Sequence, residues 1–221
     1  MGQVIIAVHH AGGSARAFLP LQRALGTDVR VGALDLPGRG RRGRQPHFGT
    51  IERAALYVAE SVDDAEATVL LGVSMGALIA YRAVQILEAD GRRPERLIVA
   101  SANSPQCIAE RANDELASFA ALPTVGNPHG AADRALLLAD LASVVAHQPV
   151  ATKVSIPIDV WRGRHDSTIR TRSTADWIGL APEGLQGSVH TFDGKHLFLA
   201  DCVQAAAAAE ILRRMHDVRP F

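Results

Sequence analysis

Cysteine is nearly absent: Cys107 and Cys202 are the only two in 221 residues. Two cysteines give neither a disulfide framework nor a zinc-ligand spacing, and a reducing compartment is the simple reading. Lysine is almost as scarce, with Lys153 and Lys195 alone among 23 basic residues. That bias fits a GC-rich genome and says little about chemistry. Neither charge is in excess, because 23 acidic residues balance the 23 basic ones, so no overall field favours nucleic acid or a membrane surface. No apolar run approaches the roughly 20 residues of a membrane span. Met1-Gly2-Gln3 carries no basic leader, and the apolar run behind it stops at Val8. No signal peptide is therefore expected, and Ile6 in place of Ser or Thr argues against myristoylation. The expectation is a soluble, cytoplasmic protein without a membrane or nucleic-acid partner.

What is present is an ordinary globular composition, 48% hydrophobic and 21% charged. The length suits one domain carrying a small insertion. The chain is organised around Gly72-Val73-Ser74-Met75-Gly76. The apolar run Thr68–Leu71 leads into it and a helical pattern from Ala77 to Asp90 leads out. G-x-S-x-G between a strand and a helix is the nucleophile elbow, with the serine at the apex of a sharp turn. Bulky residues two before and two after the serine would clash there. The N–H of Met75, in the first helical turn, faces the same space and is a candidate oxyanion donor.

Val4–Val8 reads as a central, doubly covered strand. It ends in His9-His10-Ala11-Gly12-Gly13-Ser14, after which Ala15–Leu25 reads as a helix that Pro20 interrupts. Val29–Leu34 is a second strand, followed by Asp35-Leu36-Pro37-Gly38-Arg39-Gly40 and a basic loop to Arg44. Ile51–Ala65 is an amphipathic helix, and Arg96–Ala100 the strand after the elbow helix. From Asn103 the rhythm changes: helical patterns at Glu110–Ala121 and Ala131–Ala146 follow each other with no strand between. Ile156–Trp161 resumes the sheet, Thr168–Leu180 is helical, Ser188–Phe192 is a last strand and Val203–His216 a closing helix. Alternating strands and helices argue an α/β protein with a mainly parallel sheet and helices on both faces. The division is a core over 1–102 and 153–221, and a helical lid inserted over 103–152.

A serine nucleophile needs a base, usually a histidine held by a carboxylate. In an α/β-hydrolase sheet they arrive in the order Ser, Asp/Glu, His, on loops at the carboxyl ends of strands. Ser74, Asp166 and His196 supply that order, Asp166 just past Ile156–Trp161 and His196 just past Ser188–Phe192. Ser74 would attack, His196 would take and return the proton, and Asp166 would fix the tautomer and stabilise the imidazolium. Asp166 could equally cap the following helix, and nine histidines are available. Asp159 and His190 lie within strands; His165 and Asp193 are the closer rivals. Ala11, in the glycine loop after the first strand, would supply the second oxyanion N–H beside that of Met75. Neighbouring His9 and His10 diverge in direction and have no spaced ligand partners, so no metal is expected. The glycines lack nucleotide-binding spacing, so no bound cofactor is expected either. Arg39, Arg41, Arg42 and Arg44 form either a solvated loop or a docking surface for an acidic partner or phosphate.

Five motifs in order carry a resemblance: His10-Ala11-Gly12-Gly13-Ser14-Ala15, Leu36-Pro37-Gly38-Arg39-Gly40, Gly72-x-Ser74-Met75-Gly76-Ala77, Gly163-x-x-Asp166 and Gly194-x-His196-x-Phe198-Leu199. Over nearly the whole chain they resemble the type II thioesterases, stand-alone editing hydrolases of polyketide and nonribosomal peptide synthesis. The resemblance implies the α/β-hydrolase fold, with the family's roles carried onto Ser74, Asp166 and His196 and its oxyanion donors onto Ala11 and Met75. It implies hydrolysis of acyl groups from the phosphopantetheine thiol of acyl or peptidyl carrier proteins through an acyl-Ser74 intermediate. Such carriers are acidic, which gives Arg39, Arg41, Arg42 and Arg44 weight as a docking site on a monomer. The chain departs from the family at Val73, where histidine is usual, in its short segment before the first strand, and in a compact lid whose one ring is Phe119. Two rivals stand beside this reading. One is a hydrolase or acyltransferase acting on a free small-molecule ester or thioester. The other is a silent hydrolase-fold binding protein, against which the intact Ser74, Asp166 and His196 argue.

Overall fold

In the computed structural model, which describes residues 3–27, 29–63, 67–110 and 130–217, six strands form one sheet. They are β1 (Gln3–Val8), β2 (Arg30–Leu34), β3 (Ala67–Val73), β4 (Arg96–Ala100), β5 (Ile158–Gly163) and β6 (Val189–Phe192), in the order β2-β1-β3-β4-β5-β6. Every neighbouring pair is parallel. The alternation of a strand sorts each apolar run between two layers. Val4, Ile6 and Val8 of β1, Leu70 of β3, Leu97 and Val99 of β4 and Ile158 and Val160 of β5 share one core. It is closed by α2 (Ile51–Glu60), α3 (Met75–Ala89) and α6 (Thr171–Gly179), whose Trp177 is fully buried. Ile5 and Ala7, Val69 and Leu71, Ile98 and Ala100, and Trp161 point the other way. They meet Leu21 and Leu25 of α1 (Leu19–Leu25) and Ala205, Ala208 and Leu212 of α7 (Cys202–Asp217). Ala205, Ala208 and Ala209 are fully buried in this layer, which gives the alanine run a packing role that patterning alone, treating it only as good helix former, does not show. Among the described residues no helix is long and apolar enough to cross a membrane.

All six predicted strands are present, and the differences lie at ends. The predicted Ala15–Leu25 helix is two pieces, a 3-10 turn Ala15–Phe18 and then α1, which restarts so that Pro20 sits in its first turn. There its missing N–H costs nothing. The helix predicted from Thr168 begins only at Thr171, because Thr168 is held in a turn by Asp166. The helix predicted over Ile51–Ala65 ends at Glu60.

Between β4 and β5 lie a short α4 (Pro105–Ala109) and the 17-residue α5 (Gly130–Ala146). The predicted helix Glu110–Ala121 lies, beyond its first residue, outside the described residues, as do the connection Pro123–Pro128 and Phe119. From β1 the chain runs outward to β2 and then crosses back to β3. The carboxyl ends of β1 and β3 therefore flank a topological switch point, where open α/β sheets bind ligands.

Candidate active site

The register pairs Val8 of β1 with Gly72 of β3, so the loop after β1 opens beside the elbow. Ser74 sits at the N-cap of α3 with φ 55° and ψ −117°, a left-handed conformation that side chains other than glycine rarely adopt. Such a backbone costs roughly 1–3 kcal/mol and persists only where its surroundings enforce it. Here the Ser74 N–H donates to Ala100 O at 2.8 Å and the Ala77 N–H to Ser74 O at 2.9 Å. Both flanking glycines are required for close approach. A Cβ at Gly72 would meet the backbone of Gly76 and Ala77, across the turn as expected. At Gly76 it would run into the carbonyl of Val8, so this glycine answers to β1 rather than to the turn.

The structure brings Ser74, His196 and Asp166 together. Ser74 Oγ lies 3.0 Å from His196 Nε2, and His196 Nδ1 lies 2.9 Å from Asp166 Oδ2. The three arrive from loops at the carboxyl ends of β3, β5 and β6. The last two loops are laced together: Arg164 N–H donates to Phe192 O at 2.8 Å and His165 N–H to Gly194 O at 2.9 Å. The Asp166 side chain is 1% exposed. Burial works against its ionisation, but hydrogen bonds from His196 and Thr168 and the imidazole charge outweigh it, and the carboxyl stays below the ordinary carboxylate range.

Thr168, which sequence reasoning missed, sits between the two. Its Oγ1 is 2.6 Å from Asp166 Oδ1 and 2.8 Å from His196 Nδ1. An ionised carboxylate only accepts, so the threonine hydroxyl donates to Asp166 and offers its oxygen to the ring. Nδ1 must then carry the proton. Nε2 is left with a lone pair facing the Ser74 hydroxyl, the tautomer a general base requires. The only sequence signal was a hydroxyl two residues beyond a loop aspartate.

The rivals are elsewhere. His165 and Asp193 pair with each other at 2.9 Å, both well exposed. Asp159 is buried, taking both oxygens to Arg96 at 2.9 Å. His190 packs edge-on to Trp161. His9 is fully buried and donates from Nδ1 to His10 O at 2.8 Å; burial pushes its pKa down to about 4. His10 is likewise lowered to about 4, by burial first and then by the charges of His9 and His196.

Ser74 and His196 open onto a cavity of about 190 Å³. It is lined by His10, Ala11, Met75 and Thr168 and walled by Leu78, Ile108, Leu137, Leu141 and Val144. Three of these come from α5. Ala11 and Met75, the candidate oxyanion donors, therefore border the same cavity as Ser74. Its lining is predominantly apolar.

The basic loop corrects an expectation. Arg39 is not part of an exposed patch: it is 6% exposed and grips Asp140 of α5, Nη1 to Oδ2 at 2.6 Å and Nη2 to Oδ1 at 2.9 Å. Arg42 is half-buried, its guanidinium 4.1 Å over the Tyr57 ring. Arg41 and Arg44 are the exposed pair. Asp140 was missed as well; a lone carboxylate among Leu136, Leu137, Leu138 and Leu141 was the available signal.

The family model described as "Thioesterase domain" matches residues 3–218. "Thioesterase PikA5" of Streptomyces venezuelae is 26% identical over 215 residues, spanning 89% of this chain and 75% of the relative. Among solved structures, the "RedJ-Thioesterase from the Prodiginine biosynthetic pathway in Streptomyces coelicolor" superimposes with a TM-score of 0.79 at 25% identity, covering 95% of this chain and 84% of that one. "YbtT - Type II thioesterase from Yersiniabactin NRPS/PKS biosynthetic pathway" gives 0.73 at 22% identity, with 96% and 92% covered, a likeness of fold.

Proposed function

This chain belongs to the thioesterase domain family and has the α/β-hydrolase fold, and from that premise we propose that it hydrolyses acyl groups from the phosphopantetheine thiol of acyl or peptidyl carrier proteins. The observation that carries the reading is the hydrogen-bonded chain from Ser74 through His196 to Asp166, set at the mouth of an apolar cavity. Likeness to thioesterases of polyketide and nonribosomal peptide pathways supports an editing role, clearing stalled or misprimed chains.

In this mechanism His196 Nε2 takes the Ser74 proton as Oγ attacks the thioester carbonyl carbon. The N–H groups of Ala11 and Met75 receive the tetrahedral oxyanion, the second aided by the positive end of α3. Collapse breaks the carbon–sulfur bond, and His196 returns the proton to the leaving thiol. Water then gives a proton to His196 and attacks the acyl-Ser74 ester. The acid departs and Ser74 recovers its proton. Asp166 holds the Nδ1–H tautomer and offsets the imidazolium charge, with Thr168 steadying both. The residues 103–152 act as the lid, α5 covering the acyl group. The pantetheine arm comes with the substrate, so the enzyme needs no cofactor of its own. Arg41 and Arg44 are the side chains left to attract an acidic carrier.

The test is release of acid from an acyl-carrier protein, followed by mass spectrometry of the quenched enzyme. Turnover and an acyl adduct on Ser74, both lost in Ser74→Ala, are the expected result. Turnover of free esters alone would favour a small-molecule hydrolase, and turnover that survives Ser74→Ala would end the reading.

A further inference from the structure

Helix α5 rests on the two glycine loops that follow β1 and β2. Leu137 packs against Gly12, where a Cβ would lie 3.1 Å from Leu137 Cδ1, and Leu136 against Gly38, where it would lie 3.0 Å from Leu136 Cδ1. Both glycines have positive φ, 70° and 87°, so a side chain is excluded by conformation as well as by the helix above. Beside these contacts Asp140 turns inward, its side chain 1% exposed, with each oxygen doubly engaged. Oδ2 accepts from the Gly12 N–H at 2.8 Å and from Arg39 Nη1 at 2.6 Å. Oδ1 accepts from Arg39 Nη2 at 2.9 Å and from His47 Nε2 at 2.7 Å.

A buried arginine–carboxylate pair is a weak source of stability, because desolvation offsets most of its attraction. What this one does is local. The Gly13 N–H donates to His10 O at 3.0 Å, closing a turn whose central residues are Ala11 and Gly12. With φ positive at Gly12, the peptide joining them has the type II orientation, one of two that such a turn can adopt. The N–H of that central peptide is the one Asp140 accepts.

We propose that Asp140 is a positioning residue for the oxyanion site: from α5 it anchors the His10–Gly13 turn through the Gly12 N–H, and so holds the Ala11 N–H, one peptide earlier, at the edge of the cavity, so the site is complete only when α5 is seated. The same helix walls the cavity with Leu141 and Val144, so seating the acyl cover and aligning the donor are one event. This rests on the acyl-serine reading above.

Two ligands test it on the intact enzyme. An alkyl boronic acid adds to Ser74 Oγ and presents an oxygen to the oxyanion site, whereas an alkyl pantetheine thioether fills the cavity without an oxyanion. Asp140→Asn is expected to weaken boronate binding and kcat/KM by the same factor, roughly ten- to hundredfold, short of the loss of a whole donor, with thioether affinity within about twofold. Because that variant strands the buried Arg39, the pair Arg39→Met with Asp140→Leu is measured beside it. It removes the charge together with its partner, and is expected to stay folded and lose boronate affinity alike. Wild-type boronate affinity in either folded variant overturns the proposal, as does an equal loss of thioether and boronate binding, which marks a disordered cavity. Failure of the wild type itself to bind boronate through Ser74 removes the acyl-serine reading, and this proposal with it.

Discussion

Thr168 Oγ1 lies 2.8 Å from His196 Nδ1 while its proton is committed to Asp166 Oδ1, 2.6 Å away. One hydroxyl thus holds both the carboxylate and the tautomer of the ring. Thr168→Val keeps the shape and removes the oxygen. It is expected to lower kcat about tenfold, the worth of one hydrogen bond to a charged group. Thr168→Ser is expected to restore most of it. A valine variant with unchanged kcat would reduce Thr168 to packing.

Backbone strain at Ser74 makes a second, opposite pair of effects. At φ 55° and ψ −117° a glycine is at ease where serine is not. Ser74→Gly is expected to abolish turnover yet raise stability by roughly 1 kcal/mol, strain relief exceeding the entropy glycine adds to the unfolded chain. Denaturant midpoints of wild type, Ser74→Ala and Ser74→Gly give the answer, and no gain for glycine over alanine would show the turn to be unstrained.

Much of this was legible in the sequence because the relevant forces are local. A β-branched run between turn residues reads as a strand, and G-x-S-x-G shows in five residues why Gly72 is small, though not that Gly76 answers to Val8 of β1. The loops bearing Asp166 and His196 could be placed because each follows a strand. What escaped depends on partners far along the chain. Arg39 reads as one of a solvated cluster until α5 brings Asp140 to it, 101 residues on. Thr168 reads as helix because nothing nearby reveals that Asp166 and His196 compete for it. Gly12 and Gly38 read only as loop glycines, with nothing nearby to show that Leu137 and Leu136 lie on them.

Acid should weaken the fold through the loop after β1. His9 is pushed down to about 4 from 6.5 by burial, so the folded state resists a proton that the unfolded chain accepts. The stability it contributes is complete above about pH 6.5, falls as pH drops towards 4, and from this source falls no further below that. The span corresponds to roughly 3 kcal/mol for His9 as an upper figure, and His10 acts in the same direction. Asn can reproduce the Nδ1–H donor without titrating. Thermal unfolding of His9→Asn is therefore expected to show a visibly flatter pH dependence between 6.5 and 4, and an unchanged slope would place the sensitivity elsewhere.

The arginine loop separates a docking role from a structural one. Arg41 and Arg44 are exposed, and their effect on an acidic carrier would be long-range attraction, screened over about 8 Å at physiological salt. Arg41→Glu with Arg44→Glu is expected to raise KM for the acyl-carrier protein severalfold at low salt, to leave kcat and turnover of a short pantetheine thioester unchanged, and to lose its effect in high salt. Stability should move by less than about 0.5 kcal/mol. Arg39→Glu sets two buried carboxylates against each other at the seat of α5, and there a loss of about 3–5 kcal/mol is expected, with both substrates affected equally. If the exposed pair instead changes neither the carrier KM nor its salt dependence, the carrier must approach the Ser74 cavity over another face, and Arg41 and Arg44 are solvated surface.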